Sequence, residues 1–134
     1  MTVGISSANL AQKWLETLKN TSFAAGATLY VRLHTTDPGA TGVAGVSQNS
    51  DGPGKAITWG TYAAGSLPIA ATLPSWTLAG LSAPTSETIT HMSVWTSASA
   101  GTFLYSFAVT NKTVSNGDVL NLTSHSISLT PVAA

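Results

Sequence analysis

Cysteine is absent from this 134-residue chain, and charge is scarce. Without cysteine there is no disulfide framework and no thiolate zinc site. Charged residues make up 7% of the chain, against about 25% in ordinary globular domains. Five basic and five acidic residues cancel, so the chain lacks the basic field that nucleic-acid binding requires. It equally lacks the polybasic cluster that docks on anionic membranes. Long uninterrupted apolar runs are missing too. Ala56 to Ser86 and Thr88 to Asn111 contain no Asp, Glu, Lys or Arg, but Ser and Thr run through both, and Pro68, Pro74 and Pro84 break the first. Neither reads as a membrane span. The N-terminus has no apolar h-region, because Gln12, Lys13, Glu16 and Lys19 interrupt it. A secretory signal is therefore not expected, and synthesis in the host cytoplasm is.

What replaces charge is Ser, Thr, Gly and Ala. With 43% hydrophobic residues and no net charge, disorder is not expected, and 134 residues fit one domain with one core. So little charge fits a surface covered in an assembly, or a Ser/Thr-coated β surface in water.

Periodicity divides the chain. Ser6 or Ser7 can cap a helix that runs to about Lys19. Leu10, Trp14 and Leu18 recur every four residues with Ala11 and Leu15 beside them, leaving Lys13, Glu16 and Lys19 outside the stripe. A helix this short needs a surface to pack on, either its own sheet or a neighbouring subunit. Leu10, Trp14 and Leu18 are accordingly the candidate partner contacts. From Thr28 the period becomes two: Leu29, Val31 and Leu33 face one way, and Tyr30, Arg32 and His34 the other. Thr36-Asp37-Pro38-Gly39 then signals a turn. Ala40 to Gly54, rich in Gly, Ser and Asn, reads as a long exposed loop.

Further strands are expected at about Lys55 to Tyr62, in a Pro-broken stretch from Ile69 to Leu78, and from Thr88 to Thr96. Another covers Phe103 to Val109, where aromatics alternate with Leu104, Ser106 and Ala108. Asn116-Gly117-Asp118 marks a tight turn. Leu120 and Leu122 have the opposite parity to Ile127 and Leu129, so a break near Thr123 to Ser126 is required, and Pro131 ends the last strand. These features predict a mainly β fold: one β-sandwich, jelly-roll-like, behind a short N-terminal α-helix. The whole chain, 1–134, forms a single domain, with a helical arm over 1–20 and the sandwich over 28–131, including an exposed loop at about 37–54.

Signs of catalysis are thin. Ser124, His125 and Ser126 adjoin, but neighbours on a strand point to opposite faces. No Gly-x-Ser-x-Gly elbow occurs, and the carboxylates are scattered among turns. His34 and Asp37 could reach one metal ion at a strand end. The simpler reading makes His34 a polar residue beside the turn and Asp37 a turn-former. No enzyme activity, metal or cofactor is expected. Trp14, Trp59, Trp76 and Trp95 fit core positions best, although exposed rings could bind a carbohydrate or a partner.

The segment Leu29-Tyr30-Val31-Arg32-Leu33-His34-Thr35-Thr36-Asp37-Pro38-Gly39-Ala40-Thr41-Gly42 resembles the Leu-His-Thr-x-Asp-Pro-Gly-x-Thr-Gly motif of small tailed-phage virion proteins. These are described as tail fibre, minor tail or head-decoration proteins. The order of other features is similar: Thr58 to Gly60, then Thr90, His91 and Trp95, then Leu104 to Ser106, then Lys112 to Asp118. One departure is that Val43 to Lys55 carries neither the Asn-Glu-Val nor the Gly-Gly-x-Tyr of such proteins. The resemblance implies a structural virion protein without catalysis. The leading expectation is a capsid decoration or minor capsid protein on the particle surface. The alternative is a minor tail or tail fibre component with receptor or carbohydrate binding. The implied partners are the major capsid protein or tail proteins of the same virion, and further copies of the chain, as in a trimer.

Overall fold

The computed structural model describes residues 3–22, 28–70, 73–82 and 85–129. The protein is a β-sandwich with one short helical arm. Ser6 caps the arm, its side chain accepting from the Asn9 amide at 3.4 Å. A π-turn over Ser7–Ala11 leads into α1 at Gln12–Glu16 and a 3₁₀ turn at Thr17–Lys19. Asn20 ends it with a φ of 61°, a left-handed conformation that asparagine tolerates at a helix end.

Eight strands follow: β1 Leu29–His34, β2 Lys55–Ile57, β3 Ser66–Pro68, β4 Ser75–Thr77, β5 Ser86–Trp95, β6 Phe103–Ser115, β7 Val119–Asn121 and β8 Ser126–Ser128. One layer is a four-stranded antiparallel sheet in the order β2-β1-β5-β6. Two ribbons, β3 with β8 and β4 with β7, face it. Between the layers lie Val31, Leu33, Met92 and Val94 from the sheet and Trp76, Leu78 and Leu122 from the other side. Trp76 and Leu78 are fully buried.

The parity switch resolves as a break between β7 and β8. Leu122 to His125 belong to no strand, and the two strands on either side pair with different partners. The register problem is thus solved by changing ribbons. The Asn116–Asp118 turn also changes layers, because β6 pairs with β5 whereas β7 pairs with β4. The 13-residue β6 runs past the expected end at Val109.

Three expectations are corrected. The strand expected over Lys55 to Tyr62 stops at Ile57, and Trp59 makes only an isolated bridge to Ile69. Among the described residues, the Pro-broken stretch forms a strand only at Ser75–Thr77, after Pro74. The loop after β1 is exposed on its outer side but anchored on its inner side. Pro38 and Gly42 are buried, and Val46 forms a bridge to His34. The Thr35 amide donates to Gly45 O at 2.8 Å, and the Ser47 amide to Leu33 O at 3.0 Å. Glu87 accepts from the Ser47 hydroxyl and the Gln48 amide. Pro84, Pro131 and the C-terminal end of the sandwich expected at 131 lie outside the described residues.

The arm is joined to the sheet through its leading residues. The Ser6 amide donates to Leu104 O at 2.7 Å, the Ser106 amide to Gly4 O at 3.0 Å, and Ile5 pairs antiparallel with Tyr105. The arm therefore packs on its own sheet, with Leu10 in the core and Trp14 against it.

Candidate functional site

Antiparallel register places three rungs on the outer face of the sheet: Tyr30–Trp95–Phe103, Arg32–Ser93–Ser106 and His34–His91–Ala108. The loop after β1 folds back over these rungs. His34 Nδ1 lies 2.8 Å from Ala44 O, a group that only accepts, so Nδ1 carries the proton. Nε2 of the neutral ring then accepts from the Ser93 hydroxyl at 2.6 Å, and Ser93 Oγ accepts from Trp95 Nε1 at 2.7 Å. The Arg32 guanidinium sits 3.9 Å over the Trp95 ring and donates to Ser97 O at 3.3 Å. Burial pushes the His34 pKa down, the bond to Ala44 opposes this, and nearby Arg32 and His91 push it lower.

A hydroxyl, an imidazole and an acceptor in line resemble the front of a nucleophilic site. Here both Ser93 and His34 are fully buried, and the bonds fasten the loop to the sheet. Asp37 Oδ1 accepts from the Gly39 amide at 2.9 Å, which closes the turn locally. Gly39 has a φ of 72°. No group of three or more His, Cys, Asp or Glu among the described residues could hold a metal ion. Thus His34, Asp37, Pro38 and Gly39 act as one anchored turn, with His34 buried rather than flanking it.

The arm and this turn meet. Gly39 and Ala40 face Gly4 to Ser7 across a cleft of about 210 Å³, with Phe103 and Ser106 also lining it. Asn9 Nδ2 donates to Phe103 O at 2.8 Å. Of the candidate partner contacts, Leu10 is only 5% exposed and belongs to the chain's own core, so it cannot serve a partner. Trp14 packs against that core. Leu18 is 85% exposed, and Leu15, 66% exposed, joins it on the outside. The four-residue stripe splits because only its first half meets the sheet.

On the inner face of the sheet, where Phe107 pairs with Met92 and Tyr105 with Val94, His125 stacks on Phe107 with ring centroids 3.8 Å apart and lies 3.0 Å from the Tyr105 hydroxyl through Nε2. Trp59 approaches the same imidazole at 6.2 Å. Burial holds the His125 pKa below the usual histidine value and pushes the Tyr105 pKa well above that of a free tyrosine. Phe107 and His125 border an open groove of about 580 Å³ between β6 and the β7–β8 segment. Neither this cluster nor the Ser93 network is readable from sequence, since both join residues far apart in the chain. The one available sign was the alternation that put Arg32 and His34 on one face of β1. All four tryptophans are buried or packed against the core, and Tyr62 is the exposed aromatic among the described residues.

The family model described as Podophage GP4 fiber I protein gp80 matches residues 5–130. The chain belongs to this family. The gp80 match spans the arm, the anchored turn and all eight strands, and it is a match to the chain as a whole rather than to the turn motif. It makes the protein a member of a phage fibre family, and so of a family of virion components. The expectation of a capsid decoration or minor capsid protein finds no support in it. No curated protein matches the chain. No helix among the described residues is long and apolar enough to cross a membrane.

Proposed function

We propose that this gp80-family chain is a structural component of the tail or fibre of a phage particle, acting by assembly and not by catalysis. The family match over residues 5–130 carries the reading. The fold agrees with it. Leu15 and Leu18 form an exposed apolar strip on an arm whose other side is fixed to the domain. Such a strip is suited to a neighbouring tail protein or to another copy around a symmetry axis. The hydroxyl–imidazole pair is sealed from substrate, consistent with a non-catalytic role.

Gold-labelled antibody against the chain, applied to purified particles, tests the location. Label on the tail is expected, and label spread over the head lattice would refute the proposal. Leu18→Asp tests the arm. Because Leu18 is exposed, stability should stay within about 0.5 kcal/mol of the parent while incorporation into particles falls. Normal incorporation would move the contact elsewhere.

A further inference from the structure

The four-stranded sheet ends at β6, and only part of its outer edge is paired. Near the start of β6, Gly4 to Ser6 lies against that edge: the Ser6 amide donates to Leu104 O and the Ser106 amide to Gly4 O. Successive residues of a strand turn their backbone groups to opposite sides, so Ala108 points its N–H and C=O outward as Leu104 and Ser106 do. No strand among the described residues pairs with it there. Across the groove, β7 is open in the same manner. The Leu122 amide donates to Pro74 O and the Leu78 amide to Asp118 O, so even-numbered residues face β4. Val119 and Asn121 therefore turn their backbone groups to the free side. The groove is lined by two unbroken runs, Phe107 to Lys112 and Val119 to His125. Consecutive residues line a wall when the wall is the edge of a strand, because a face shows only alternate ones.

We infer that this groove receives an extended segment of another chain, which joins the free edge of β6 as a further strand. The pairing is read from the two edges and does not depend on where on the particle the chain sits. It adds a contact beyond Leu15 and Leu18. Open backbone edges are matched by an extended peptide, whose own N–H and C=O groups carry the spacing of a strand. The sheet already accepts a short strand on this edge, and the new one continues the line of Gly4 to Ser6. The side chains of the segment follow from the groove. Phe107, Val109 and Leu120 pack against the core but are only partly buried, Val119 is 59% exposed, and all four line the groove. Apolar residues at alternate positions of the segment would complete their cover. Lys112 is exposed, it is the single charged residue lining the groove, and no carboxylate is beside it there. The segment therefore carries Asp or Glu to meet it.

End-capped, fluorescein-labelled peptides of about eight residues test this with the purified full chain. Val alternates with Ser or Thr in each, and each carries either a Glu or a Lys. A control has the composition of the Glu peptide with its valines grouped. Fluorescence anisotropy should show saturable binding of the Glu peptide, with the Lys peptide about two- to fivefold weaker. Lys112→Glu should reverse that order. Ala108→Pro removes the outward N–H and should weaken binding by about tenfold or more. Its melting midpoint should stay near that of the parent, because proline is tolerated where an edge N–H faces away from the sheet. A measurement on the parent alone guards against a variant that fails to fold. In hydrogen exchange the Ala108 amide should be open in the free chain and protected in the complex. Several results would each overturn the inference: no binding of either alternating peptide, equal binding of the grouped control, or undiminished binding by Ala108→Pro. An unreversed order in Lys112→Glu would overturn the acidic segment. Protection of the Ala108 amide already in the free chain would mean that the chain covers this edge itself, and would overturn the whole.

Discussion

The two halves of β6 share a strand but not an environment. Phe103 to Ser106 are all buried, on both faces. From Phe107 to Thr113 every residue is half-buried or exposed. The first half has the core on one side and the anchored turn on the other, and Gly4 to Ser6 closes its edge. The second half has the core on one side and the groove at its edge. Burial along a strand is therefore set by what folds over it as much as by its own alternation. The covered half is fixed on both faces; the open half borders the groove.

That contrast can be broken from either end. Phe103→Ala removes a buried ring between the loop and the sheet and should cost about 3–5 kcal/mol in urea unfolding. Phe107→Ala, on the half-buried side, should cost clearly less. Equal losses would mean the two halves are equally packed. Gly42→Ala comes next. Its φ of 75° is strained for any Cβ, and that Cβ would overlap Phe103 and Trp95. A loss of about 2–4 kcal/mol is expected, with the loop loosened in hydrogen exchange.

The anchored half should also be the acid-sensitive one. Folded His34 resists protonation, while the unfolded chain takes up a proton near the ordinary value of 6.5. Stability is therefore complete above that pH and declines as pH falls below it. His125 is shifted the same way by burial, whereas the lowered Asp51 titrates below this window. Urea midpoints at pH 7.5 and pH 5 should show the decline, and His34→Asn should shrink the difference between them. A difference of undiminished size would assign it to His125. The smallest effect belongs to Asp37→Asn. Asn keeps the oxygen that accepts from the Gly39 amide, so a change under about 0.5 kcal/mol is expected. A larger loss would mean that the charge itself matters.

Much of this fold could be read from the chain. The alternation of Leu29 to His34 marks β1, the Ser6 cap marks the arm, and the parity clash between Leu122 and Ile127 marks the break between ribbons. The candidate site was less legible. A Gly-rich run reads as exposed because composition reports flexibility and not what the chain folds against. Here glycine serves close approach, as Gly42 does against Phe103. The stripe Leu10, Trp14, Leu18 was visible, but which turn of it meets the sheet depends on where Gly4 to Ser6 pair. The groove is made by two strand edges whose neighbours only the topology determines.

The pairing of the arm with β6 has a consequence for folding order. The bond from Asn9 to Phe103 closes a separation of 94 residues. The arm emerges from the ribosome before any strand of the sandwich, yet its docking edge is made only when Leu104 to Ser106 have been synthesised and aligned on β5. Contacts of such long range form slowly, because the entropy of loop closure precedes their reward. The arm is thus made before the strand edge that seats it.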